Sequence, residues 1–246
     1  MYRAFFSIPA SVTDVEGRPA NALHGYLDMT ARLVSAHRPD DVVHVYDDDW
    51  KPAPRVRAYA GYKAHRLPDP EGLPEQFGVL RQVLDAFGLP QAEAPGWEAE
   101  DAIGGLSARA GRGDHIDVVT GDRDLIQLVR DPQVRVLFTV RGVTEVRVLV
   151  EAYPSLEAMV EDAKWSKEGM SPLRRSASLR AAVRDAAGYL EAMRLVVPIR
   201  TDVEVRAWRA ERDEAHLGEL AERYRLTGPV RRLREALSQE RPSERR

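Results

Sequence analysis

The stretch Ile116-Asp117-Val118-Val119-Thr120-Gly121-Asp122-Arg123-Asp124 has the pattern of a strand that ends in a turn and leads into a helix. The β-branched run predicts the strand, Gly121 the turn, and the apolar residues that follow at helical spacing the helix. Asp122 and Asp124 then lie at the carboxyl end of a strand, where open α/β sheets place their ligands. The alternative is that one carboxylate caps the helix and the other interacts with the helix dipole.

A second acidic cluster, Glu98-Ala99-Glu100-Asp101, begins another predicted helix upstream. Glu98 and Asp101 are three residues apart, so they share one face of that helix. Acidic residues are common in first turns for dipole reasons, so this cluster alone is weak evidence of a site. Together the two clusters predict five carboxylates at one end of a sheet, and these would repel one another unless cations held them. We therefore expect a hard divalent metal, Mg²⁺ or Mn²⁺, and phosphate chemistry.

Helix and strand patterns alternate through residues 20–150, which predicts an α/β fold with a mostly parallel sheet and helices on both faces. Besides the elements already described, the predicted helices lie at residues 23–34 and 77–87, and the predicted strands at residues 41–46, 134–140 and 143–150. The strand at residues 41–46 ends in Asp47-Asp48-Asp49, and thus brings a third acidic group to a strand end.

Strand patterns nearly vanish after Tyr153, so the remainder predicts a helical C-terminal region. The expected domains are an α/β domain over residues 1–150 and a helical region over residues 151–246. Short helices are predicted at residues 156–160, 179–183 and 189–193, with a polar loop at residues 164–178.

The composition limits the functional classes. The chain has 246 residues, 43% of them hydrophobic, which is enough for one good core and a smaller appendage. The absence of cysteine excludes disulfides, thiolate nucleophiles and zinc-thiolate sites. No apolar run is long enough to span a bilayer, and the first residues lack a secretory pattern. We therefore expect a cytoplasmic protein, and a monomer rather than an oligomer. We expect no membrane partner and no small-molecule cofactor.

The charge is distributed unevenly along the chain. Residues 1–163 carry 17 basic and 26 acidic side chains, whereas residues 164–246 carry 19 basic and 13 acidic ones. A basic C-terminal half suits a polyanionic partner such as nucleic acid. It is equally typical of a solvated, arginine-rich helical surface.

A basic stretch, Arg55 to Arg66, lies between the predicted sheet elements. Lys63 and Arg66 are three residues apart and would project together if this stretch were helical. Such a pair could bind a phosphate, Arg66 as a planar fork and Lys63 as a point charge. For the isolated pattern, a solvated basic patch is the more common explanation.

In combination and in this order, these segments resemble the 5′-3′ exonuclease and flap endonuclease family, which includes the nuclease domain attached to bacterial DNA polymerase I. The matching segments are Tyr2-Arg3-Ala4-Phe5-Phe6, Val45-Tyr46-Asp47, Tyr62-Lys63-Ala64-His65-Arg66, Gly96-Trp97-Glu98-Ala99-Glu100-Asp101 and Thr120-Gly121-Asp122-Arg123-Asp124-Leu125. The resemblance implies a PIN-like sheet and a metal-dependent nuclease that cuts DNA near a 5′ end or flap.

The resemblance also implies roles for individual residues. Lys63 and Arg66 match the basic pair that contacts the scissile phosphate, and with Arg55 and Tyr62 they form the expected DNA-binding set. One or two ions are expected. The matching metal ligands are Asp47, Glu98, Glu100, Asp101, Asp122 and Asp124.

Three departures from the family pattern bear on activity. In the family, a strand ending in Asp-Gly normally precedes Tyr-Arg-Ala-Phe-Phe, whereas here only Met1 stands before Tyr2. In addition, Glu100 stands where the family has aspartate. After Val150 the family continues into Gly-Asp-x-Ser-Asp-Asn and a helix-three-turn-helix, whereas this chain passes directly to Tyr153-Pro154. Two readings follow: a nuclease with weakened activity, or a catalytically inactive DNA-binding relative. A product that barely folds, a PIN-type ribonuclease toxin and an aspartyl phosphatase are weaker alternatives.

Overall fold

The computed structural model describes residues 1–141, 145–149 and 187–238. In these ranges the α-helices are α1 (Tyr2–Ser7), α2 (Asn21–His37), α3 (Ala53–Ala58), α4 (Leu73–Phe87), α5 (Ala99–Ala108), α6 (Ala187–Val196), α7 (Glu214–Arg223) and α8 (Thr227–Leu237). The strands are β1 (His44–Tyr46), β2 (Gln91–Glu93), β3 (Ile116–Thr120), β4 (Val134–Arg141), β5 (Glu145–Leu149) and β6 (Arg206–Trp208).

The strands form two three-stranded sheets, ordered β1-β2-β6 and β3-β4-β5. In each sheet the first two strands are parallel and the third is antiparallel to its neighbour. The predicted α/β class, with helices flanking parallel strands and a helical C-terminal region, is confirmed. The sheet is nevertheless divided, because within the described residues β1 and β3 have no strand pairing with each other.

Most predicted elements of the first 150 residues are present, with differences at their ends. The strands predicted at residues 134–140 and 143–150 form the antiparallel pair β4 and β5. The strand expected from residue 41 begins only at His44, and the Asp41 carboxylate accepts a hydrogen bond from the Val42 N–H at 2.9 Å, a local bond that competes with strand pairing. The helix after Asp122 is a short 3-10 helix, Asp124–Leu128.

Other predictions fall in the C-terminal part of the chain. Strand β6 was not predicted, since three residues are too few to show an alternating pattern. Helix α6 confirms the helix expected around residues 189–193. The proposed domain boundary at residue 150, the helices at 156–160 and 179–183 and the loop at 164–178 lie outside the described residues.

The main core lies between α2, α4, α7 and α8. It is built from leucines that are almost completely buried: Leu23, Leu27, Leu80, Leu84, Leu217, Leu226 and Leu233. A second cluster lies under β3 and β4, and a small third one joins β2 and α5 to Val203 and Val205. Residues from the C-terminal region thus contribute to all three clusters. Among the described helices, none combines the length and the apolar character needed to cross a bilayer.

Helix α1 is attached to α2 through a buried polar contact. The Asn21 side-chain amide donates to the carbonyls of Phe5 and Ile8, at 2.8 and 3.1 Å. A Cβ at Gly25 would come within 2.9 Å of Ala4 Cβ, so glycine permits this close packing. The contact fixes the position of α1, and therefore of Arg3, relative to the sheet.

Helix α5, which carries the first acidic cluster, is crossed by a segment that we call the return segment, residues 196–205. An ideal Cβ at Gly104 would lie 2.3 Å from the Arg200 carbonyl oxygen, far inside normal contact distance. Gly105 faces Val205 in the same way, with 2.8 Å between its ideal Cβ and a Val205 methyl carbon. The two glycines therefore allow the backbones of α5 and the return segment to approach closely.

We predict opposite effects for two helical glycine substitutions. Gly104→Ala introduces a methyl group against backbone and should destabilise the protein by about 1–3 kcal/mol, as overpacking does. Gly78→Ala on α4 meets nothing within 4 Å and should stabilise it by about 0.5–1 kcal/mol. Chemical denaturation monitored by circular dichroism measures both. Equal effects of the two substitutions would contradict the close approach of the return segment.

His44 on β1 is a buried titratable group. It is 4% exposed, and its Nδ1 lies 2.7 Å from the Tyr26 hydroxyl. Its Nε2 has no hydrogen-bond partner among the described residues. Burial lowers the pKa of His44 from 6.5 to about 4. The folded protein therefore keeps this imidazole neutral at pH values where the unfolded chain protonates it.

We expect this depressed pKa to make the protein less stable in mild acid. Because the unfolded chain binds a proton that the folded protein does not, stability falls as the pH drops from 6.5 towards about 4. Between pH 7 and pH 5 the loss from this group should be about 2 kcal/mol. Urea unfolding at the two pH values measures it, with His44→Phe as the variant that cannot titrate. Equal losses in both proteins would refute the assignment.

Candidate active site

A buried ion cluster, made by Arg55 of α3 with Glu98 and Asp101 at the start of α5, lies at the centre of the site. Arg55 and Glu98 are each 2% exposed and Asp101 is fully buried. The Arg55 guanidinium makes a two-pronged contact with Asp101, from Nη1 to Oδ2 and from Nη2 to Oδ1, both at 2.7 Å. Nη1 also donates to Glu98. This fork geometry is the strong form of an arginine–carboxylate pair.

Arg55 also connects the cluster to the return segment. Its Nε donates to the Val196 carbonyl at 2.9 Å, and its Nη2 lies 3.4 Å from the Pro198 carbonyl. From the same segment, the Arg200 N–H donates to Asp101 Oδ1 at 2.9 Å. Asp101 Oδ2 receives a further bond from the Glu98 N–H at 3.3 Å. Each Asp101 oxygen therefore accepts from two donors.

The sequence assigned different roles to these side chains. Arg55 was expected to contact DNA, but its guanidinium is buried and bonded to two carboxylates and two carbonyls inside the protein. That interaction leaves it no access to an external phosphate. Asp101 was expected to bind metal, but its oxygens are occupied by Arg55 and by two backbone amides. In this structure both residues hold the site together.

Glu98, another predicted ligand, is surrounded by three donors. Its Oε2 accepts from Arg55 Nη1 and from the Tyr62 hydroxyl, the latter at 2.5 Å. Its Oε1 pairs with the Lys63 ammonium. Burial and the Glu98 hydrogen bond raise the pKa of Tyr62, so its hydroxyl remains a donor. Glu98 is therefore neutralised by Arg55 and Lys63.

Three further acidic residues, Glu100, Asp122 and Asp124, which we call the outer carboxylates, are not paired with a cation in the same way. Burial raises the pKa of Glu100 to about 7, and the charges of Asp122, Glu98 and Asp124 add to that rise. The pKa of Asp124 is also raised, mainly by desolvation and secondly by the negative charge of Asp122. Groups from α5 and from the end of β3 thus lie close enough to repel one another, as the sequence predicted.

Local hydrogen bonds fix where these carboxylates stand. Asp122 Oδ1 accepts from the Asp124 N–H at 3.0 Å, and the Asp122 N–H donates to the Thr120 hydroxyl at 2.9 Å. Asp47, at the end of β1, accepts from the Ala99 N–H at 2.7 Å and so satisfies a donor in the first turn of α5. Asp122 thus accepts from the first N–H of the 3-10 helix, although the N-cap residue of that helix, Arg123, makes no side-chain cap hydrogen bond.

No group of three or more acidic or histidine side chains is already arranged to hold a metal ion in the part of the chain that the structure describes. The outer carboxylates are exposed or partly exposed oxygen donors, which is the donor chemistry that Mg²⁺ and Mn²⁺ prefer. The donor type thus fits such an ion. Binding it would require these side chains to move closer together.

The predicted basic pair does not lie on a helix, since residues 60–65 form consecutive turns. Both side chains nevertheless lie near Trp50. Lys63 pairs with Glu98 and donates to the Trp50 carbonyl at 3.1 Å. The Arg66 guanidinium lies 5.8 Å from the centre of the Tyr2 ring and 5.9 Å from that of Trp50, and it is exposed.

Arg3 of α1 was quoted in the sequence pattern but was not assigned to the site. An ideal Cβ at Gly121 would lie 2.4 Å from Arg3 Nη2, so the guanidinium rests against the turn that precedes Asp122. The signal that could have found it is its place in Tyr2-Arg3-Ala4-Phe5-Phe6, one of the segments on which the family resemblance depends. Arg3 brings positive charge to the edge of the outer carboxylates.

Comparison with known proteins places this site in a family. The family described as 5′-3′ exonuclease, N-terminal resolvase-like domain, has a sequence model that matches residues 1–155. The chain belongs to this 5′-3′ exonuclease family. The predicted family membership is thereby confirmed, and the matched range contains all the site residues discussed so far except those of the return segment.

Individual relatives agree with this assignment. A 5′-3′ exonuclease of Streptomyces coelicolor is 44% identical over 163 residues, covering 61% of this chain and 54% of the relative. A 5′-3′ exonuclease of Mycobacterium tuberculosis is 41% identical over 158 residues, 58% of this chain and 49% of the relative. This chain thus spans about half the length of these exonucleases. DNA polymerase I of Geobacillus stearothermophilus is 38% identical over 146 residues, 59% of this chain and 16% of the polymerase.

A solved structure shows the same fold. Flap endonuclease-1 from Methanococcus jannaschii superposes with a TM-score of 0.53 at 17% identity, covering 96% of this chain and 90% of that chain. At this identity the likeness concerns the fold alone. Because it covers 96% of the chain, the likeness extends well beyond residue 155 into the C-terminal region.

The basic C-terminal half forms many ion pairs within the protein. Arginines of the described C-terminal part pair with carboxylates from other elements: Arg206 with Glu93, Arg209 with Asp41, Arg212 and Arg234 with Glu214, and Arg232 with Asp28. For residues 187–238, these pairs favour a solvated arginine-rich surface over an open polyanion-binding patch.

The buried ion cluster yields a prediction about stability. Arg55→Met removes the cation from two buried carboxylates and should destabilise the protein by about 3–5 kcal/mol, because an unpaired buried charge remains. Arg57→Met, an exposed arginine on the same helix, should change stability by no more than about 0.5 kcal/mol. Urea denaturation of both variants measures the difference. A loss for Arg55→Met as small as that for Arg57→Met would contradict the central role of this cluster.

Proposed function

We propose that this protein is a divalent-metal-dependent nuclease that hydrolyses DNA phosphodiester bonds near a 5′ end or a flap. The observation that carries the proposal is the electrostatic coupling of Glu100 with Asp122 and Asp124, which brings negative charge from two strand-to-helix junctions into one site. Such a concentration of carboxylates is the usual setting for Mg²⁺ or Mn²⁺. Membership of the 5′-3′ exonuclease family supports the nuclease assignment.

In this proposal the outer carboxylates hold one ion, and Asp47 and Glu98 could hold a second once Glu98 exchanges a protein cation for the metal. Asp101, a ligand in the sequence-based set, acts structurally instead, since four donors already occupy its oxygens. A Mg²⁺ or Mn²⁺ ion would supply an activated water nucleophile and neutralise charge on the leaving oxygen.

The basic side chains complete the proposed site. Lys63 lies beside Glu98 and brings a point charge suited to a non-bridging phosphate oxygen. Arg66 is exposed, and its guanidinium can reach a second phosphate of the same strand from its place between Tyr2 and Trp50. Tyr62 keeps Glu98 in position through its hydroxyl and acts on the substrate only indirectly.

A second candidate function is a catalytically inactive DNA-binding relative. Two observations favour it: Glu98 and Asp101 are neutralised by protein cations, and the described residues contain no group already arranged for a metal. In that case the outer carboxylates would only repel nucleic acid, and the cations would provide the binding.

The remaining features of the proposal follow from the relatives' names and from the sequence. Exonucleases, a DNA polymerase I and a flap endonuclease all point to DNA as the partner. We propose a monomer that acts in the cytoplasm, as the composition led us to expect, and a role in replication or repair, as the family resemblance implies. Flap, nicked and gapped duplexes are the substrates to compare.

Cleavage of a labelled 5′-flap duplex in Mn²⁺ tests the proposal. Asp122→Asn keeps the side-chain shape but removes one outer carboxylate, so we expect cleavage to fall by about a hundredfold or more. Asp114→Asn is the matched control, since it removes the same charge before β3, at the opposite end of that strand, and keeps an oxygen for the Gly111 N–H. It should cleave like the wild type.

The two candidate functions give different outcomes. If the wild type binds the flap duplex but leaves it intact, and Asp122→Asn binds it at least as well, the inactive relative is the correct reading. If Asp122→Asn and Asp114→Asn lose activity equally, the outer carboxylates have no special role and the proposed metal site is wrong.

A further inference from the structure

The pairing of Lys63 with Glu98 places a protein cation at a position that the proposed function reserves for a metal. The Lys63 ammonium contacts Glu98 Oε1, while Oε2 is held by Arg55 and Tyr62. A divalent ion and an ammonium group cannot both contact the same carboxylate oxygen from the same side, since their charges repel. One of the donors around Glu98 must therefore leave before this carboxylate can join a metal site.

Burial decides which donor can leave. Arg55 is 2% exposed and is fixed by Asp101 and by the carbonyls of Val196 and Pro198, so removing it would break the whole buried ion cluster. The Lys63 side chain is 24% exposed, and besides Glu98 its contacts among the described residues are a hydrogen bond to the Trp50 carbonyl and the Tyr62 ring at 5.4 Å. An ammonium at this depth can regain water when it departs. Lys63 is thus the donor that is free to move.

The backbone at Lys63 also supports a movable side chain. Its φ of +50° lies in the left-handed region, which non-glycine residues seldom adopt, and it belongs to the turns of residues 60–65 rather than to a helix. A turn can change its dihedral angles without breaking a helical hydrogen-bond ladder. The Glu98 and Trp50 contacts of Lys63 help to hold the turn in this conformation.

We propose that Lys63 is a tethered competitor of the divalent ion at Glu98. The inference rests on the proposed function and deepens it. Without the ion, the ammonium neutralises Glu98; when the ion binds, Lys63 swings out and becomes available to the phosphate backbone of DNA. Only molecules in which Lys63 has left Glu98 can bind the ion there, so the apparent metal affinity is the intrinsic affinity multiplied by the fraction of such molecules. By linkage, DNA that attracts the released Lys63 strengthens metal binding.

Metal titration without DNA tests the competition. Lys63→Met keeps most of the side-chain length but cannot pair with Glu98, so its Kd for Mn²⁺ in calorimetry should be about tenfold lower than that of the wild type. Lys51→Met is the matched control, because it removes the same charge from a neighbouring loop. It should bind Mn²⁺ with the wild-type Kd, whereas a general effect of charge would tighten binding in both variants.

Chemical modification of the wild type tests the movement itself. An amine-acetylating reagent, with peptides quantified by mass spectrometry, should modify Lys63 several times faster in saturating Mg²⁺ than in chelator, because the ammonium leaves its carboxylate and enters solvent. The rate at Lys51 should not change. This readout does not depend on the variants folding, and a purely electrostatic role for Lys63 would leave both rates unchanged.

The possible failures are distinct. Mn²⁺ uptake with equal Kd in the wild type and Lys63→Met, or a Lys63 acetylation rate that does not respond to Mg²⁺ in a protein that binds it, overturns this inference and leaves the proposed nuclease function intact. If neither the wild type nor Lys63→Met takes up Mn²⁺, the inference and the proposed function are both overturned.

Discussion

The contact between Arg55 and Asp101 is the interaction on which the rest of the site depends. It joins α3 to the start of α5, and through the Val196 and Pro198 carbonyls it joins both to the return segment. Desolvating two charges is costly unless the geometry is good and further hydrogen bonds satisfy the groups. Here that condition is met, because Arg55 uses every kind of guanidinium nitrogen and Asp101 accepts four hydrogen bonds. Gly104 then allows the backbones to meet.

One consequence is that the acidic residues fall into two groups with different roles. Glu98 and Asp101 are neutralised inside the protein, whereas Glu100, Asp122 and Asp124 remain mutually repelling at its edge, and this repulsion contributes to the raised pKa of Glu100. The same helix start thus provides Asp101 as a structural anchor and Glu100 as a candidate ligand, while Glu98 can join a metal site only after Lys63 has left it. Glu98 and Glu100 differ in backbone conformation, because Glu98 is the N-cap residue with extended backbone, whereas Glu100 lies in the first turn of α5.

Sequence patterns predicted the parts of this arrangement that are local. Apolar spacing predicted helices α2 and α4 and strand β3. The same pattern placed Asp122 and Asp124 at a strand end, since they follow Thr120, the last residue of β3, by two and four positions. The role of Arg55 could not be read in this way. Its partners lie 46 and 141 positions away in the chain, and a basic residue near a phosphate-binding pattern is more readily taken for a DNA contact.

The spacing of Lys63 and Arg66 could not place the pair for a related reason: a three-residue spacing defines a shared face only on a helix, and the chain forms turns there. The division of the strands into two sheets could not be predicted either, since no pattern within β1 or β3 specifies which strand pairs with each edge. Tertiary contacts decide such features, and single-sequence periodicity does not carry them.

Anomalous difference density at the manganese edge, from a crystal of the protein soaked in Mn²⁺, shows directly which carboxylates bind metal. We expect a peak beside Glu100, Asp122 and Asp124, with the Arg55 guanidinium still paired with Asp101. A peak coordinated by Asp101, with Arg55 displaced from it, would contradict the structural role of that pair. The absence of any peak near the outer carboxylates would contradict the metal site.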